Sequence, residues 1–297
     1  MTDAYDPEDL IDDVVVLIVA AGEGTRLGSS RPKAFVGLAG KTLLAHSLAT
    51  FEQHEAVDSI VLVVPEDWVE PAAIMVDDLG CDRVSSIEVG GSSRAASVLA
   101  GLAAVSSRRQ TAVLVHDAAR PIVADDLIER VLAPLAEGHD AVVPSLPVHD
   151  TVKRIVAGGS GVVAETLPRG ELRLAQTPQA CRASVLRAAL AGLAADGLAA
   201  ITDCAHAIEL AGGRTVCVEG DVRSRKVTTV DDLRAIEAEL GWVAPTSAAP
   251  TSEEAAEDLR DVEEPEDLEP LDADDLGADP ADERAATPAA RAVEAPE

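Results

Sequence analysis

Aromatic residues are almost missing from this 297-residue chain, which has two Trp, one Tyr and two Phe. A core of ordinary size must therefore be built from Ala, Val, Leu and Ile, and stacking of rings on bases or sugars is excluded as the main means of recognition. Positive charge is also scarce. With 24 Lys and Arg against 53 Asp and Glu, the formal net charge is -29, which repels nucleic acid and anionic lipid and removes both from the expected partners. Cysteine is confined to Cys81, Cys181, Cys204 and Cys217 with no CxxC spacing, so neither a zinc ribbon nor a disulfide framework is indicated, and buried thiols of a reducing compartment are expected. No apolar run reaches membrane length, because VVVLIVAAG is interrupted at once by Glu23 and Arg26. A soluble cytoplasmic protein is the expectation, with no signal peptide at its start.

The acidic excess is concentrated at the two ends. Residues 244 to 297 hold 18 Asp and Glu against three Arg, and residues 1 to 13 hold six carboxylates and no Lys or Arg. Both read as polar extensions: a mobile N-terminus over residues 1–12, and a disordered Ala, Pro, Glu and Asp-rich tail over residues 244–297. The folded domain is expected between them, over residues 13–243.

Within that domain short β-branched runs alternate with amphipathic stretches of helical length. VVVLIVA from Val14, SIVLVVP from Ser59, TAVLVHD from Thr111 and DAVVPS from Asp140 read as buried strands. Helical patterns lie between them, after Thr42, around Asp67 to Gly80, after Ser93 and after Asp125. This alternation predicts an α/β fold with a Rossmann-like, mostly parallel, doubly wound sheet. From about residue 147 to 177 the rhythm breaks into two β-rich stretches around Gly-Gly-Ser-Gly, which reads as a protruding β-arm. Helices are expected again over Arg182 to Ala195 and Thr202 to Ala211, then a strand RTVCVEG and a last helix from Val230.

The strongest local signal is the loop Ala20 to Lys33, AAGEGTRLGSSRPK. Its small residues let backbone N–H groups approach phosphate oxygens, and Arg26 and Lys33 supply positive charge. It is not a Walker loop, since Leu27-Gly28-Ser29 stands where GKS or GKT is needed. Nor is it a dinucleotide fingerprint, since Gly28 stands four rather than three residues after Gly24. A tight βα turn with incidental cations is the plainer reading; Ala-Ala-Gly together with Arg and Pro-Lys favours phosphate.

Four later groups have both plain and functional readings. Ser92 or Ser93 caps a helix, or GGSSRAAS (Gly90 to Ser97) brings Arg94 and Ser97 beside a nucleotide. HDAARP (His116 to Pro121) is a turn, or it presents Asp117 at a strand's carboxyl end, where ligands bind and where a carboxylate suits Mg2+; His116 is given no role. Thr151, Lys153 and Arg169 are solubilising residues of the arm, or ligands, with Thr177-Pro178-Gln179 just beyond it. Thr202 caps a helix, or ITD and RKVT place a hydroxyl, a carboxylate and Lys226 near a ligand.

As a set, AAGEGTR, RPK, GGSSRAAS, HDAARP, DTVKR, PR, QTPQ, ITD and RKVT resemble the 2-C-methyl-D-erythritol 4-phosphate cytidylyltransferase family in order and spacing, from Val14 to about Trp242. The resemblance implies transfer of CMP from CTP to a polyol phosphate, with release of pyrophosphate, by a Mg2+-dependent homodimer whose β-arms exchange. It implies a catalytic set of Arg26, Lys33, Lys226 and Arg169. Nucleotide contacts would come from Ala20, Ala21, Gly22, Gly24, Gly91, Ser97, Asp117 and Ala118. Acceptor contacts would come from Asp117, Thr151, Arg169, Thr177, Thr202 and Lys226, with Thr151 and Arg169 reaching the partner subunit's site. Mg2+ would be carried mainly by the CTP phosphates, with Asp117 as its protein ligand. Ser92 departs from an Asp found in some members, and PKAF from the commoner PKQ. Another polyol phosphate such as ribitol 5-phosphate, a guanylyl or thymidylyl transfer, and a non-catalytic nucleotide-binding protein are the competing readings.

Overall fold

A computed structural model describes residues 11–22, 24, 31–106, 108, 110–158 and 161–242. The expected N-terminal extension up to residue 10, the acidic tail and Arg26 lie outside them. Strand β1 (Asp13–Val19) shows how the sequence builds the centre: five consecutive residues from Val14 to Ile18 are buried. Their side chains alternate across the sheet, with Val14, Val16 and Ile18 in one apolar layer and Val15 and Leu17 in the other. Such period-two alternation with both faces covered is what a β-branched run without polar residues requires. Each fully buried side chain contributes about 1.5–3 kcal/mol.

The chain continues through a small hairpin, β2 (Gly37–Leu38) and β3 (Lys41–Thr42), into helix α1 (Leu43–Gln53), which is capped by the Thr42 hydroxyl accepting from Ala45 N at 3.1 Å. Then come β4 (Ser59–Val64), α2 (Val69–Leu79), β5 (Val84–Val89), α3 (Arg94–Leu102) and β6 (Thr111–Asp117). They are followed by α4 (Asp125–Ala136) and β7 (Ala141–Pro147). Strands β1, β4, β5 and β6 pair in parallel, as the alternating pattern predicts. β5 is absent from the sequence expectation because VSSIEV is half polar and has no fully buried residue.

After β7 the expected arm is present. β8 (Lys153–Ile155) and β9 (Val163–Thr166) form an antiparallel hairpin separate from the main sheet, and β10 (Arg173–Ala175) returns to pair with β7. β11 (Gln179–Arg182) then inserts antiparallel between β6 and β7. Four residues, QACR, carry no readable period, and the sequence pattern starts a helix at Arg182 instead. Helices α5 (Ala183–Ala191), α6 (Ala195–Ala200) and α7 (Cys204–Leu210) follow, then β12 (Thr215–Glu219) alongside β7 and α8 (Val230–Glu239). The sheet is therefore mixed, with order β10-β7-β11-β6-β1-β4-β5 and β12 added on β7. Among the described residues no helix is long and apolar enough to cross a membrane, and all four cysteines are free thiols.

Candidate active site

The carboxyl ends of β1 and β6 open on a cleft of about 440 Å3. Its floor begins with the glycine-rich loop, of which Ala21, Gly22 and Gly24 line the cleft with Lys33. The two ends of that loop are tied by Lys33 N donating to the Gly22 carbonyl at 3.2 Å. Gly24 sits at φ 73° and passes so close to Lys33 that an added Cβ would lie 2.9 Å from the Lys33 Cβ and backbone nitrogen. A side chain there is doubly unfavourable, by backbone conformation and by contact.

The second wall is the turn before α3. Gly90 has no room for a side chain, since a Cβ would lie 2.4 Å from Ala21 Cβ, and this close approach joins the two loops. Ser93 is the N-cap, accepting from Ala96 N at 3.1 Å. The buried Ser97 hydroxyl accepts from Gly91 N at 3.1 Å and donates to the Ser93 carbonyl at 2.9 Å. Ser97 thus shapes the turn that faces the cleft.

Asp117, the last residue of β6, is buried and held between two cations: Arg94 Nε lies 2.8 Å from Oδ1 and Lys226 Nζ lies 2.7 Å from Oδ2. Burial alone would raise its pKa, but Arg94 and then Lys226 outweigh that and hold the carboxyl well below the usual range, so it is ionised. Burial opposes the charge of Arg94 in the same way, and Asp117 overcomes it. Arg94 Nη1 also donates to Cys204 Sγ at 3.7 Å, whereas Nη2 is buried without a partner.

Lys226 comes from 109 residues further along the chain and is brought in by a strapped loop. Val227 N donates to the Ala119 carbonyl at 2.7 Å, and Gln176 Nε2 donates to the Asp221 carbonyl at 2.8 Å. Arg120 donates through Nη1 to the Ser224 carbonyl at 2.7 Å and through Nη2 to the Ala175 carbonyl at 3.2 Å. Beyond Lys226, Asp232 accepts from the backbone N–H and hydroxyl of both Thr228 and Thr229, closing the capping box of α8.

Behind Asp117 lies a polar relay through Thr177 and His116. Thr177 Oγ1 accepts from Asp117 N at 3.1 Å and faces His116 Nδ1 at 3.2 Å, while His116 Nε2 faces the Arg120 carbonyl at 3.0 Å. A carbonyl can only accept, so Nε2 carries the proton and Nδ1 accepts from the threonine hydroxyl. Burial is the largest cause of a His116 pKa lowered to about 4 from 6.5. His116, given no role from sequence, is a neutral strut for the strand end. The unfolded histidine binds a proton near pH 6.5 that the folded protein refuses until about pH 4. Its stability contribution is therefore complete above pH 6.5 and lost as pH falls toward 4, by at most about 1.4 kcal/mol per pH unit. Urea unfolding is expected to show a wild-type protein about 2 kcal/mol less stable at pH 5 than at pH 7, a dependence that His116→Gln removes.

The cleft brings together Ala21, Gly22, Gly24, Lys33, Gly91, Ser97, Asp117 and Lys226 from the expected set, with Arg94 beside Ser97 as the functional reading of GGSSRAAS has it, and adds Ser92 and Thr228. Ala20 and Ala118 are buried just behind it, bonded to the carbonyls of Val63 and Val19. Thr202 lines a separate hollow of about 310 Å3. It is not the cap of α7, because Asp203 takes that place by accepting from His206 N at 2.8 Å. Thr151 and Arg169 are exposed on the arm, where Arg169 donates to the His149 carbonyl, and neither lines this cleft. A larger groove of about 730 Å3 between α1 and the start of α4 is lined by His46, His54 and carboxylates such as Asp125 and Glu129, with no Lys or Arg. It is unsuited to a triphosphate despite its size.

A glycine-rich loop at the end of a parallel strand, facing a buried carboxylate flanked by fixed cations, defines a nucleotidyltransferase of the Rossmann-like class. Within that class the chain belongs to the 2-C-methyl-D-erythritol 4-phosphate cytidylyltransferase (IspD) family, whose model matches residues 14–241. The enzyme of that name from Rhodococcus opacus strain B4 is 44% identical over 220 residues, covering 74% of this chain and 92% of the relative. Its counterpart from Chromobacterium violaceum is 42% identical over 222 residues, covering 74% and 94%. A crystal structure of the Thermus thermophilus enzyme aligns with a TM-score of 0.60 at 32% identity, covering 76% of this chain and 98% of that one.

Proposed function

We propose that this protein transfers CMP from CTP to 2-C-methyl-D-erythritol 4-phosphate in the cytoplasm, giving 4-diphosphocytidyl-2-C-methyl-D-erythritol and pyrophosphate. The observation that carries this reading is the ionised Asp117 between Arg94 and Lys226, facing Lys33 across one cleft, in a chain of this family.

The acceptor's phosphate oxygen is already an anion, so attack on the α-phosphorus of CTP needs no strong general base. It needs relief of charge repulsion, in-line placement and a stabilised leaving group. Lys33 faces the triphosphate, with Arg26 given the same role by the resemblance to the family; Lys226 faces the phosphate under attack, and Asp117 fixes Lys226 and accepts from the acceptor's hydroxyls. The backbone of Ala21, Gly22 and Gly91 and the turn held by Ser97 seat the nucleotide.

Among the described residues no group of three or more His, Cys, Asp or Glu could hold a metal, and Asp117, the cleft's carboxylate, already faces two cations. Asp117 would be at most one protein ligand of a Mg2+ carried mainly by the CTP phosphates, and the bound ion would supply Lewis-acid charge and a template for the phosphates.

The arm completes the site in a homodimer. A two-stranded hairpin is marginal alone, and Ile155, Val156 and Val163 on it are exposed, which fits a surface covered by a second copy. Thr151 and Arg169 then reach the partner's acceptor site. The extensions outside residues 13–243 take no part in the chemistry.

Pyrophosphate release measured with CTP and either methylerythritol phosphate or ribitol 5-phosphate, with Mg2+ and with EDTA, tests the proposal. Turnover is expected with methylerythritol phosphate and to be abolished by EDTA. Preference for ribitol 5-phosphate would reassign the acceptor, and absence of CTP binding in calorimetry would leave only a degenerate fold.

A further inference from the structure

Lys226 carries its charge at the end of a flexible stem, so where the ammonium points depends on how firmly the backbone beneath it is held. Just before it, the Ser224 carbonyl accepts from Arg120 Nη1 at 2.7 Å. Just after it, Val227 N donates to the Ala119 carbonyl at 2.7 Å, and the Val227 side chain is fully buried against Leu38, Leu43 and, from α8, Ile236.

The next tether is Asp232 on α8. Its Oδ2 accepts from Thr228 N at 2.8 Å and Thr228 Oγ1 at 2.6 Å, and from Thr229 N at 2.8 Å and Thr229 Oγ1 at 2.9 Å. A capping box needs only Thr229, whose hydroxyl accepts in return from Asp232 N at 3.3 Å. The two bonds to Thr228 fall before the helix and add nothing to its cap. They hold instead a residue that lines the cleft with Lys226, where among the described residues none of α8 does. The Thr228 hydroxyl is foremost in holding the Asp232 carboxyl well below its usual range against the opposing effect of burial, so Asp232 remains an acceptor for all four donors.

We propose that Asp232 is a positioning residue for the transfer: from outside the cleft it anchors the backbone of Thr228 and so fixes the direction in which Lys226 presents its ammonium. Lys226 is then held at both ends, its Nζ by Asp117 at 2.7 Å and its main chain by the bonds that flank it. Loss of Asp232 leaves the partner at the tip but loosens the base of the stem, which takes the ammonium off the line of attack. This role presupposes that Lys226 faces the phosphate under attack, as the proposed transfer has it.

Single-turnover rates, with enzyme in excess over methylerythritol phosphate and with CTP and Mg2+ saturating, are compared for wild type, Asp232→Ala, Lys226→Ala and the double variant. This regime keeps the slow Lys226→Ala background measurable. Asp232→Ala is expected to lower the rate about tenfold in the wild-type background, inside what misplacing a reacting group costs. Once Lys226 is absent the same substitution is expected to cost less than about twofold, because the two residues act as a unit. Thr229→Ala removes the cap of α8 but leaves both bonds to Thr228, and is expected to lose stability while keeping close to the wild-type rate. Equal factors in the two backgrounds, or a loss in Thr229→Ala as large as in Asp232→Ala, overturn the positioning role. A wild-type rate in Lys226→Ala overturns the part given to Lys226, and the role of Asp232 with it. Asp232→Asn, which keeps an acceptor oxygen for Thr228, is the second variant should Asp232→Ala unfold; its smaller loss is expected to vanish in the same way when Lys226 is absent.

Discussion

Lys33→Ala is expected to lower kcat by roughly a hundredfold or more while the protein stays folded, the cost of losing one fixed charge aimed at a phosphoryl transition state. The backbone of Lys33 donates to Gly22 and sits under Gly24, and alanine keeps both contacts. Lys33 lines the cleft, so the substitution removes a positive charge there. Steady-state kinetics at saturating CTP and acceptor measure the loss, and circular dichroism checks the fold. Lys33→Arg is expected to recover only part of the rate, because a planar fork replaces a compact charge. A folded Lys33→Ala protein turning over at the wild-type rate would remove the loop from the mechanism.

Asp117→Asn is expected to be the most damaging single substitution for stability within the cleft. It replaces an anion between two cations by an amide that presents its own N–H groups to one of them. Arg94, with a side chain only 21% exposed and one nitrogen already unpartnered, is left without compensation, which costs about 3 kcal/mol for a buried charge of this kind. Lys226 is 40% exposed and adds less. Urea unfolding at pH 7 measures the loss, and the double variant Asp117→Asn with Arg94→Met is expected to regain most of it. A loss under about 1 kcal/mol would mean that Arg94 finds solvent unaided. The same substitution should raise the acceptor KM, since Lys226 loses the partner that holds it.

Legibility from sequence follows the range of the interaction. The strands at residues 14, 59 and 111 are plain because burial on both faces demands unbroken β-branched runs, and the arm is plain because its period changes at a glycine turn. β11 is not, since four residues carry no period and its place between β6 and β7 comes from pairing with distant strands. The glycine-rich loop and Asp117 announce themselves locally, whereas the pairing of Asp117 with Lys226 has no sequence signature. The capping of α7 is open to Thr202 or Asp203 by residue type alone. The buried His116 is legible as structural, but its link to Asp117 through Thr177 needs three dimensions.

The distance along the chain between Asp117 and Lys226 also sets a schedule. Domains fold from the N-terminus as they are synthesised, at about 5–20 residues per second. The phosphate loop, Arg94 and Asp117 therefore leave the ribosome several seconds before the segment from Gln176 to Lys226 that straps and neutralises the far side of the carboxylate. Until then the nascent cleft has its glycines but not its full set of charges. The second cation arrives only with Lys226, so a chain truncated by premature termination before residue 226 lacks the charge that flanks Asp117 opposite Arg94.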